Sequence, residues 1–151
     1  KILASLFNTL AGKKVCLLGF AFKADTGDTR DSPAISLARK LVEEKADVVI
    51  SDPKALPSAR IDLADLGEAV KYVEDPYEAA MGAHAIALVT DWRQYMELDY
   101  EKIYAGMEKP SFIFDGRNIL DHDRLFEIGF NIFPVGKPAM THLTWGTDWA
   151  E

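Results

Sequence analysis

Short apolar runs that alternate with helical segments constrain the fold of this chain more than any other feature of its sequence. The first run, residues 14–20, reads Lys-Val-Cys-Leu-Leu-Gly-Phe and is apolar almost throughout. A run without a polar face is typical of a central strand that is covered on both faces in a parallel sheet. Further strands are predicted at residues 46–51, 70–73, 85–90, 111–115 and 131–133, the last of them at an edge.

Helices are predicted between these strands. Ser32 can cap the free amide groups of a helix and Pro33 fits its first position, and apolar residues then recur at helical spacing as far as Val42. The other predicted helices lie at residues 76–80, 100–107 and 121–128, whereas residues 54–68 carry no clear pattern. Because strands and helices alternate with short links, we expect an α/β fold: a doubly wound, mostly parallel, Rossmann-like sheet of about six strands with helices on both faces.

The length of 151 residues suits one compact domain with short flanking segments. Residues 12–137 are predicted to form the domain, and residues 138–151, with Trp145 and Trp149, to form a tail that is loose or docked on a missing neighbour. Residues 1–11 are predicted to be the end of a longer helix. The apolar stripe of that helix would consist of Ile2, Leu3, Leu6, Phe7 and Leu10.

Charge and cysteine content exclude several classes of function. The formal net charge of −7 argues against binding to nucleic acid or to a membrane surface, because both are polyanions. The single cysteine, Cys16, excludes an internal disulfide and a cysteine zinc cluster, and a cytoplasmic location is the default expectation. No metal site is predicted, because the histidines His84, His122 and His142 lack the spacing of metal ligands.

Two loops carry the candidate binding residues, because ligands of open α/β sheets gather beyond the carboxyl ends of the strands. The loop after the first strand offers Phe22 as an apolar face for a sugar or base, adds the charges of Lys23 and Arg30, and leads into a helix whose free amides favour an anion. The second loop, after the fifth strand, contains Arg117, whose planar fork can bind a phosphate.

Simpler interpretations of both loops stay open. A polar loop before a helix is usually a turn with a cap, and a single arginine such as Arg117 is often one half of a surface ion pair. Two basic loop tips at neighbouring strand ends favour an anion site, on which Lys23 and Arg117 would converge to hold one diphosphate. The residues alone therefore indicate a domain that binds a phosphorylated small molecule.

Other sites are not supported by the sequence. The first loop has Gly19 but no G-x-G-x-x-G, and the chain has no phosphate-binding P-loop. A phosphorylated receiver domain would have acidic residues after the first strand, where this chain has Gly19 and Phe20. Cys16 lies inside the apolar first strand, which favours a buried structural thiol over a nucleophile. We predict no catalytic residue in this chain.

Several segments resemble those of one family. Residues 13–23, Lys-Lys-Val-Cys-Leu-Leu-Gly-Phe-Ala-Phe-Lys, followed by Asp-Thr-Gly-Asp-Thr-Arg-Asp-Ser at 25–32, resemble the start of the carboxy-terminal domain of UDP-glucose/GDP-mannose dehydrogenases. Further similar segments lie at residues 75–79, 82–85, 97–100 and 112–118, and the resemblance covers roughly residues 5–137. Residues 44–46 depart from the family, which often has a glycine after the first helix; this departure is expected to loosen the helix end.

The resemblance implies a division of labour. An amino-terminal domain binds NAD, a long central helix builds the dimer, and a cysteine outside this chain attacks the sugar aldehyde while two NAD oxidise C6 of UDP-glucose to a carboxylate. Phe22, Lys23 and Arg117 would contact the UDP-sugar and Arg30 would face the cofactor, next to the remainder of the same polypeptide in a homo-oligomer. The loop sequences look most like the UDP-glucose branch. A sugar such as GDP-mannose or UDP-N-acetylmannosamine, or a free-standing nucleotide-binding module, remains the alternative.

Overall fold

The computed structural model describes residues 9–142, which form one six-stranded sheet. The strands are β1 (Lys14–Leu18), β2 (Asp47–Ser51), β3 (Val70–Tyr72), β4 (Ala85–Leu88), β5 (Phe112–Asp115) and β6 (Asn131–Pro134). Their order is β3-β2-β1-β4-β5-β6, and all five neighbouring pairs are parallel. The expected doubly wound sheet is therefore confirmed, with β6 at an edge as predicted.

Five α-helices connect the strands. They are α1 (Pro33–Glu43), α2 (Leu56–Asp62), α3 (Pro76–Ala80), α4 (Tyr100–Gly106) and α5 (His122–Ile128), and short 3₁₀-helices lie at Ala64–Ala69 and Arg93–Met96. Helix α1 contacts the first 3₁₀-helix, whereas α3, α4 and α5 contact one another in series. Since crossovers between parallel strands are right-handed as a rule, the strand order puts these two groups on opposite faces of the sheet, as the sequence predicted.

Side-chain caps explain where most helices begin. Four helices follow a residue whose side-chain oxygen accepts a backbone N–H of the first turn, which satisfies an otherwise free donor. These capping residues are Ser32, Asp75, Asp99 and Asp121. Helix α2 has no such cap and buries only Ala59, so residues 54–68 carried neither a start signal nor an apolar stripe.

The core lies in the central strands. The side chains of β1 from Val15 to Leu18 and all those of β4 are buried, which is why both read as apolar runs. Cys16 is fully buried, and burial raises the pKa of its thiol to about 12, with a small opposing effect of Lys14. The thiol is therefore protonated and belongs to the core, as expected from its position in the strand.

Some predictions fall outside the described residues. Most of the predicted amino-terminal helix lies in residues 1–8, which are not described. The same holds for residues 143–151, which contain Trp145 and Trp149. Leu10 is described and is 2% exposed, but residues 9–11 are not helical. Within residues 9–142, no helix is long and apolar enough to cross a bilayer, and no group of His, Cys, Asp and Glu side chains could hold a metal ion.

Candidate functional site

Both predicted binding loops lie at the carboxyl edge of the sheet, one after β1 and one after β5. The prediction that they lie at neighbouring strand ends is wrong, because β4 lies between β1 and β5. Neighbouring strands are about 4.8 Å apart, so the ends of β1 and β5 are separated by roughly 10 Å. Two long basic side chains at this separation can still reach one extended ligand.

The loop that carries Arg117 is wrapped around the carboxylate of Asp115. Asp115 is 0% exposed, and its Oδ1 accepts the N–H of Arg117 at 3.1 Å. Its Oδ2 accepts the N–H of Leu120 at 3.0 Å and lies 2.8 Å from Nε2 of His122. Burial raises the pKa of Asp115, but the hydrogen bonds from His122, Leu120 and Arg117 outweigh burial and lower it overall. The main chain of Arg117 is therefore fixed by an ionised carboxylate.

The side chain of Arg117 is held by the neighbouring loop. Its Nη2 lies 3.3 Å from Oδ2 of Asp91, in the loop after β4, and both side chains are 37% exposed. Arg117 is thus half of an ion pair, one of the two interpretations left open, yet it keeps enough exposure to meet a ligand. Gly116 permits this close approach of the two loops, because a Cβ there would lie 2.8 Å from the carbonyl oxygen of Leu88.

Asn118 joins the Arg117 loop to the segment after β6. Its side-chain Nδ2 donates to the carbonyl oxygen of Val135 at 2.7 Å, and its Oδ1 accepts the N–H of Val135 at 3.1 Å. Asn118 itself has a φ of 54°, a left-handed conformation that asparagine tolerates better than most residues. The two loops therefore form one rim at the outer half of the carboxyl edge.

Beneath this rim lies a cavity of about 960 Å³. Its lining is mostly apolar and comes from the start of α1, from β4, and from the ends of β5 and β6: Pro33, Leu37, Ala87, Leu88, Val89, Phe114, Gly116, Arg117, Phe133, Pro134, Val135, Gly136, Lys137 and Ala139. Phe114 and Phe133 stack there with ring centroids 5.0 Å apart. The charged residues of the lining, Arg117 and Lys137, are both cationic.

Lys137 is a further candidate, which was not predicted from the sequence. It is exposed and follows Gly136, whose φ of 70° turns the chain beyond β6. A basic residue just beyond the carboxyl end of a strand was the signal that selected Lys23 and Arg117. The same criterion selects Lys137 once β6 is extended to Pro134.

The three candidates in the β1 loop lie outside this cavity. Phe22 is 47% exposed and Lys23 is exposed, but neither residue lines the cavity with Arg117. The Arg30 side chain is 88% exposed and its Nη2 pairs with Oδ2 of Asp28 at 2.7 Å. The hydrogen bond from Arg30 lowers the pKa of Asp28 to about 2. The structure thus places these residues at the same edge of the sheet as Arg117 and brings none of them into its cavity.

The amino terminus of α1 does not offer the free amides that were predicted from the sequence. Pro33 has no N–H, the N–H of Ala34 donates to Oγ of Ser32 at 3.2 Å, and the N–H of Ile35 donates to the carbonyl oxygen of Ser32 at 3.3 Å. Ser32 is only 5% exposed. The expectation of an anion at this helix end is therefore wrong, because the capping residue takes up the amides itself.

Thr90 packs against the loop after β1 at the carboxyl ends of β1 and β4. Doubly wound sheets bind dinucleotides at this point, where the strand order reverses. Here the Oγ1 of Thr90 donates to the carbonyl oxygen of Ala21 at 2.8 Å, and a Cβ on Gly19 would lie 2.5 Å from the Cβ of Thr90. Gly19 is therefore required by the close approach of Thr90, and the loop after β1 has no G-x-G-x-x-G sequence.

Comparison with known proteins identifies one family. The family model described as "UDP-glucose/GDP-mannose dehydrogenase family, UDP binding domain" matches residues 16–122. UDP-glucose 6-dehydrogenase 1 from Arabidopsis thaliana is 41% identical over 157 residues, which covers 91% of this chain and 33% of that protein. UDP-glucose 6-dehydrogenase from Drosophila melanogaster is 44% identical over 147 residues, which covers 91% of this chain and 31% of that protein.

A solved structure agrees with these relatives. The UDP-glucose dehydrogenase from the hyperthermophilic archaeon Pyrobaculum islandicum superposes with a TM-score of 0.66 at 32% identity, over 85% of this chain and 28% of that one. The chain spans about a third of the length of the curated relatives it matches. The similarity therefore concerns one domain of these enzymes.

Proposed function

Because this chain belongs to the UDP-glucose/GDP-mannose dehydrogenase family, we propose that it is the UDP-sugar-binding, carboxy-terminal domain of a UDP-glucose 6-dehydrogenase. Such an enzyme oxidises UDP-glucose to UDP-glucuronate with two NAD. The domain comprises residues 12–137, with residues 1–11 as the end of the central linker helix and residues 138–151 as a tail. The nucleophilic cysteine belongs to the rest of the polypeptide.

The observation that carries this proposal is the cavity lined by α1, β4, β5, β6 and the segment after β6. Its mostly apolar lining suits the base or sugar of a ligand, and its charged residues, Arg117 and Lys137, suit the negative charge of a diphosphate. Arg117 also has a fixed main chain and a side chain held near Asp91. A cationic group that is already oriented loses less conformational freedom when it binds a phosphate.

The loop after β1 would bind the other end of the ligand. Phe22 presents an exposed ring and Lys23 an exposed ammonium group at the same edge of the sheet. We propose that the UDP-sugar extends from the cavity across the end of β4 towards these two side chains. Lys23 and Arg117 then contact one ligand from its two sides.

Two observations support an NAD site outside this chain. Thr90 packs against Gly19 and Ala21 at the ends of β1 and β4, and the loop after β1 lacks the glycines of a dinucleotide clamp. We therefore assign most of the NAD contacts to the amino-terminal part of the enzyme, with Arg30 facing the cofactor across the seam between domains. The exposure of Arg30 leaves it free to exchange Asp28 for such a contact.

The partners of this chain are then UDP-glucose, the remainder of its own polypeptide and further copies in a cytoplasmic homo-oligomer. UDP-glucose is favoured over GDP-mannose and UDP-N-acetylmannosamine because the curated relatives from Arabidopsis and Drosophila, at 41% and 44% identity, carry the name UDP-glucose 6-dehydrogenase. That similarity also favours an enzyme domain over a free-standing nucleotide-binding module.

Turnover by the intact enzyme tests the proposal. The enzyme that carries this chain is supplied with NAD and, in separate assays, with UDP-glucose, GDP-mannose or UDP-N-acetylmannosamine. We expect two NADH per UDP-glucose consumed and far slower turnover of the other two sugars. Faster turnover of either alternative sugar would reassign the substrate, and no turnover of any of the three would overturn the proposal.

A further inference from the structure

A single buried carboxylate, that of Asp52, joins three loops at the carboxyl edge. Asp52 follows β2 and is 1% exposed. Its Oδ2 accepts the N–H groups of Phe20 at 2.7 Å and Ala21 at 3.0 Å, and the indole N–H of Trp92 at 3.2 Å. Its Oδ1 accepts the N–H groups of Lys54 and Ala55, each at 2.8 Å. The loops after β1, β2 and β4 therefore share one acceptor.

These hydrogen bonds fix the backbone that leads to Phe22 and Lys23. The carbonyl oxygen of Phe20 accepts the hydroxyl of Ser32 at 2.8 Å, and that of Ala21 accepts the hydroxyl of Thr90 at 2.8 Å. Both peptide groups before Phe22 are thus bonded through N–H and through C=O. The N–H of Phe22 donates to the carbonyl oxygen of Asp28 at 2.7 Å. The direction in which Lys23 leaves the sheet is determined by this network.

The position of Asp52 in the fold is informative. In doubly wound sheets that bind a dinucleotide, an acidic residue about 20 residues beyond the glycine-rich turn bonds the ribose of the ligand. Asp52 stands after the second strand, but its carboxylate is directed at the chain's own N–H groups. A group that would bind the cofactor in a dinucleotide site here orders the loop that faces the substrate.

We infer that Asp52 is a positioning residue for the UDP-sugar: it acts through the β1 loop by fixing where Phe22 and Lys23 meet the ligand. This inference rests on the proposed function. Asparagine cannot replace Asp52, because the carboxylate is an acceptor at both oxygens and the side-chain NH₂ of asparagine is only a donor. One group of backbone donors would face that NH₂, and the loop would have to move.

A double-mutant cycle in the intact enzyme tests the inference, with Asp52→Asn, Lys23→Ala and the double variant. We expect Asp52→Asn and Lys23→Ala each to raise the KM for UDP-glucose about tenfold, the effect of losing one charge-assisted hydrogen bond. The double variant should be little worse than the worse single variant, because a displaced Lys23 no longer contributes. The KM for NAD should change less than about twofold.

Controls separate positioning from loss of stability. Ile103→Val removes one buried methyl group from α4 and should leave the KM for UDP-glucose unchanged. If Asp52→Asn does not fold, Thr90→Val tests instead whether the hydrogen-bond network positions the β1 loop. This variant removes the hydroxyl that is bonded to Ala21 at nearly constant volume. Thr90→Val should raise the KM for UDP-glucose about threefold and should lose this effect in the Lys23→Ala background.

The outcomes of the cycle are distinguishable. If Lys23→Ala leaves the KM unchanged, the assigned role of Lys23 fails, and the inference about Asp52 fails with it. If Lys23→Ala raises the KM but folded Asp52→Asn does not, or if their effects multiply fully in the double variant, the inference is overturned while the proposed function stands. An enzyme that does not use a UDP-sugar overturns both.

Discussion

Three side chains hold Arg117 and its loop in place. Asp115 fixes its main chain, Asp91 orients its guanidinium, and Asn118 ties its loop to the segment beyond β6. None of these partners was evident from the local sequence, because each lies in a different loop or acts through backbone atoms. Choosing Arg117 from its place after a strand was possible, whereas predicting how it is oriented required the strand order.

Replacing Lys137 tests whether the cavity binds an anion. Lys137→Ala in the intact enzyme should raise the KM for UDP-glucose about threefold to tenfold, because an exposed ammonium near a phosphate contributes about 1 kcal/mol. Steady-state kinetics measures the change. Lys71→Ala is the matched control, since Lys71 is an exposed lysine on β3 at the other edge of the sheet. Equal KM values for the two variants would remove Lys137 from the site.

His84 should make the stability of the fold dependent on pH. Burial and the charge of Lys13 lower the pKa of His84 below its ordinary value of 6.5, with Glu108 opposing them. Its Nδ1 accepts the N–H of Lys14 at 3.2 Å, which requires the neutral ring. As the pH falls, His84 is therefore protonated at a higher pH in the unfolded chain than in the folded chain. The stability that His84 contributes is present above pH 6.5 and is lost as the pH falls through the folded-state pKa.

Urea unfolding of the chain at pH 7, 6 and 5 measures this effect. The free energy of unfolding should fall more between about pH 7 and 5 in the wild type than in His84→Asn, which keeps an acceptor near the position of Nδ1 but does not titrate. Parallel pH profiles for the two proteins would show that His84 is not responsible.

At the scale of single elements, helix α1 ends in a left-handed residue that is not glycine. Lys45 has a φ of 66°, and the N–H groups of Lys45 and Ala46 donate to the carbonyl oxygens of Val42 and Leu41. This is the usual left-handed helix end, formed by lysine where glycine is common. The departure that was expected to loosen the helix end is instead accommodated in a strained backbone conformation.

Lys45→Gly should therefore stabilise the fold. Relief of the left-handed strain exceeds the greater freedom of glycine in the unfolded chain, so we expect the free energy of unfolding to rise by about 0.5–1 kcal/mol. Chemical denaturation measures it, with Lys45→Ala as the control, which keeps the strain and should give no gain. A loss of stability in Lys45→Gly would contradict the assigned conformation.

Elements were predictable where their signals are local. Strands such as β1 and β4 are apolar because both faces are covered. In helices such as α1 and α3, a capping residue in the sequence marks the first turn. The 3₁₀-helix at 93–96 had no such signal, because it depends on the burial of Tyr95 against distant parts of the chain. The anion site expected at α1 failed for a related reason: the cap that predicted the helix also consumed its amides.

At the scale of the whole molecule, strand order decides which loops can share a ligand. The sequence predicted six strands, but local patterns do not say that β4 lies between β1 and β5. The same order brings the loops after β1 and β4 together, where Thr90 and Asp52 join them through hydrogen bonds. The cavity that contains Arg117 is lined by residues of β4, β5 and β6.

Calorimetric titration of the intact enzyme with UDP-glucose, for the wild type, Arg117→Ala and Arg124→Ala, tests the assignment of the site most directly. Arg124 is an exposed arginine on α5 and serves as the charge-matched control. We predict that Arg117→Ala weakens binding about tenfold or more, because a charge-assisted hydrogen bond to phosphate contributes about 1.5–3 kcal/mol, and that Arg124→Ala binds like the wild type. Equal affinities of the wild type and Arg117→Ala would contradict the account.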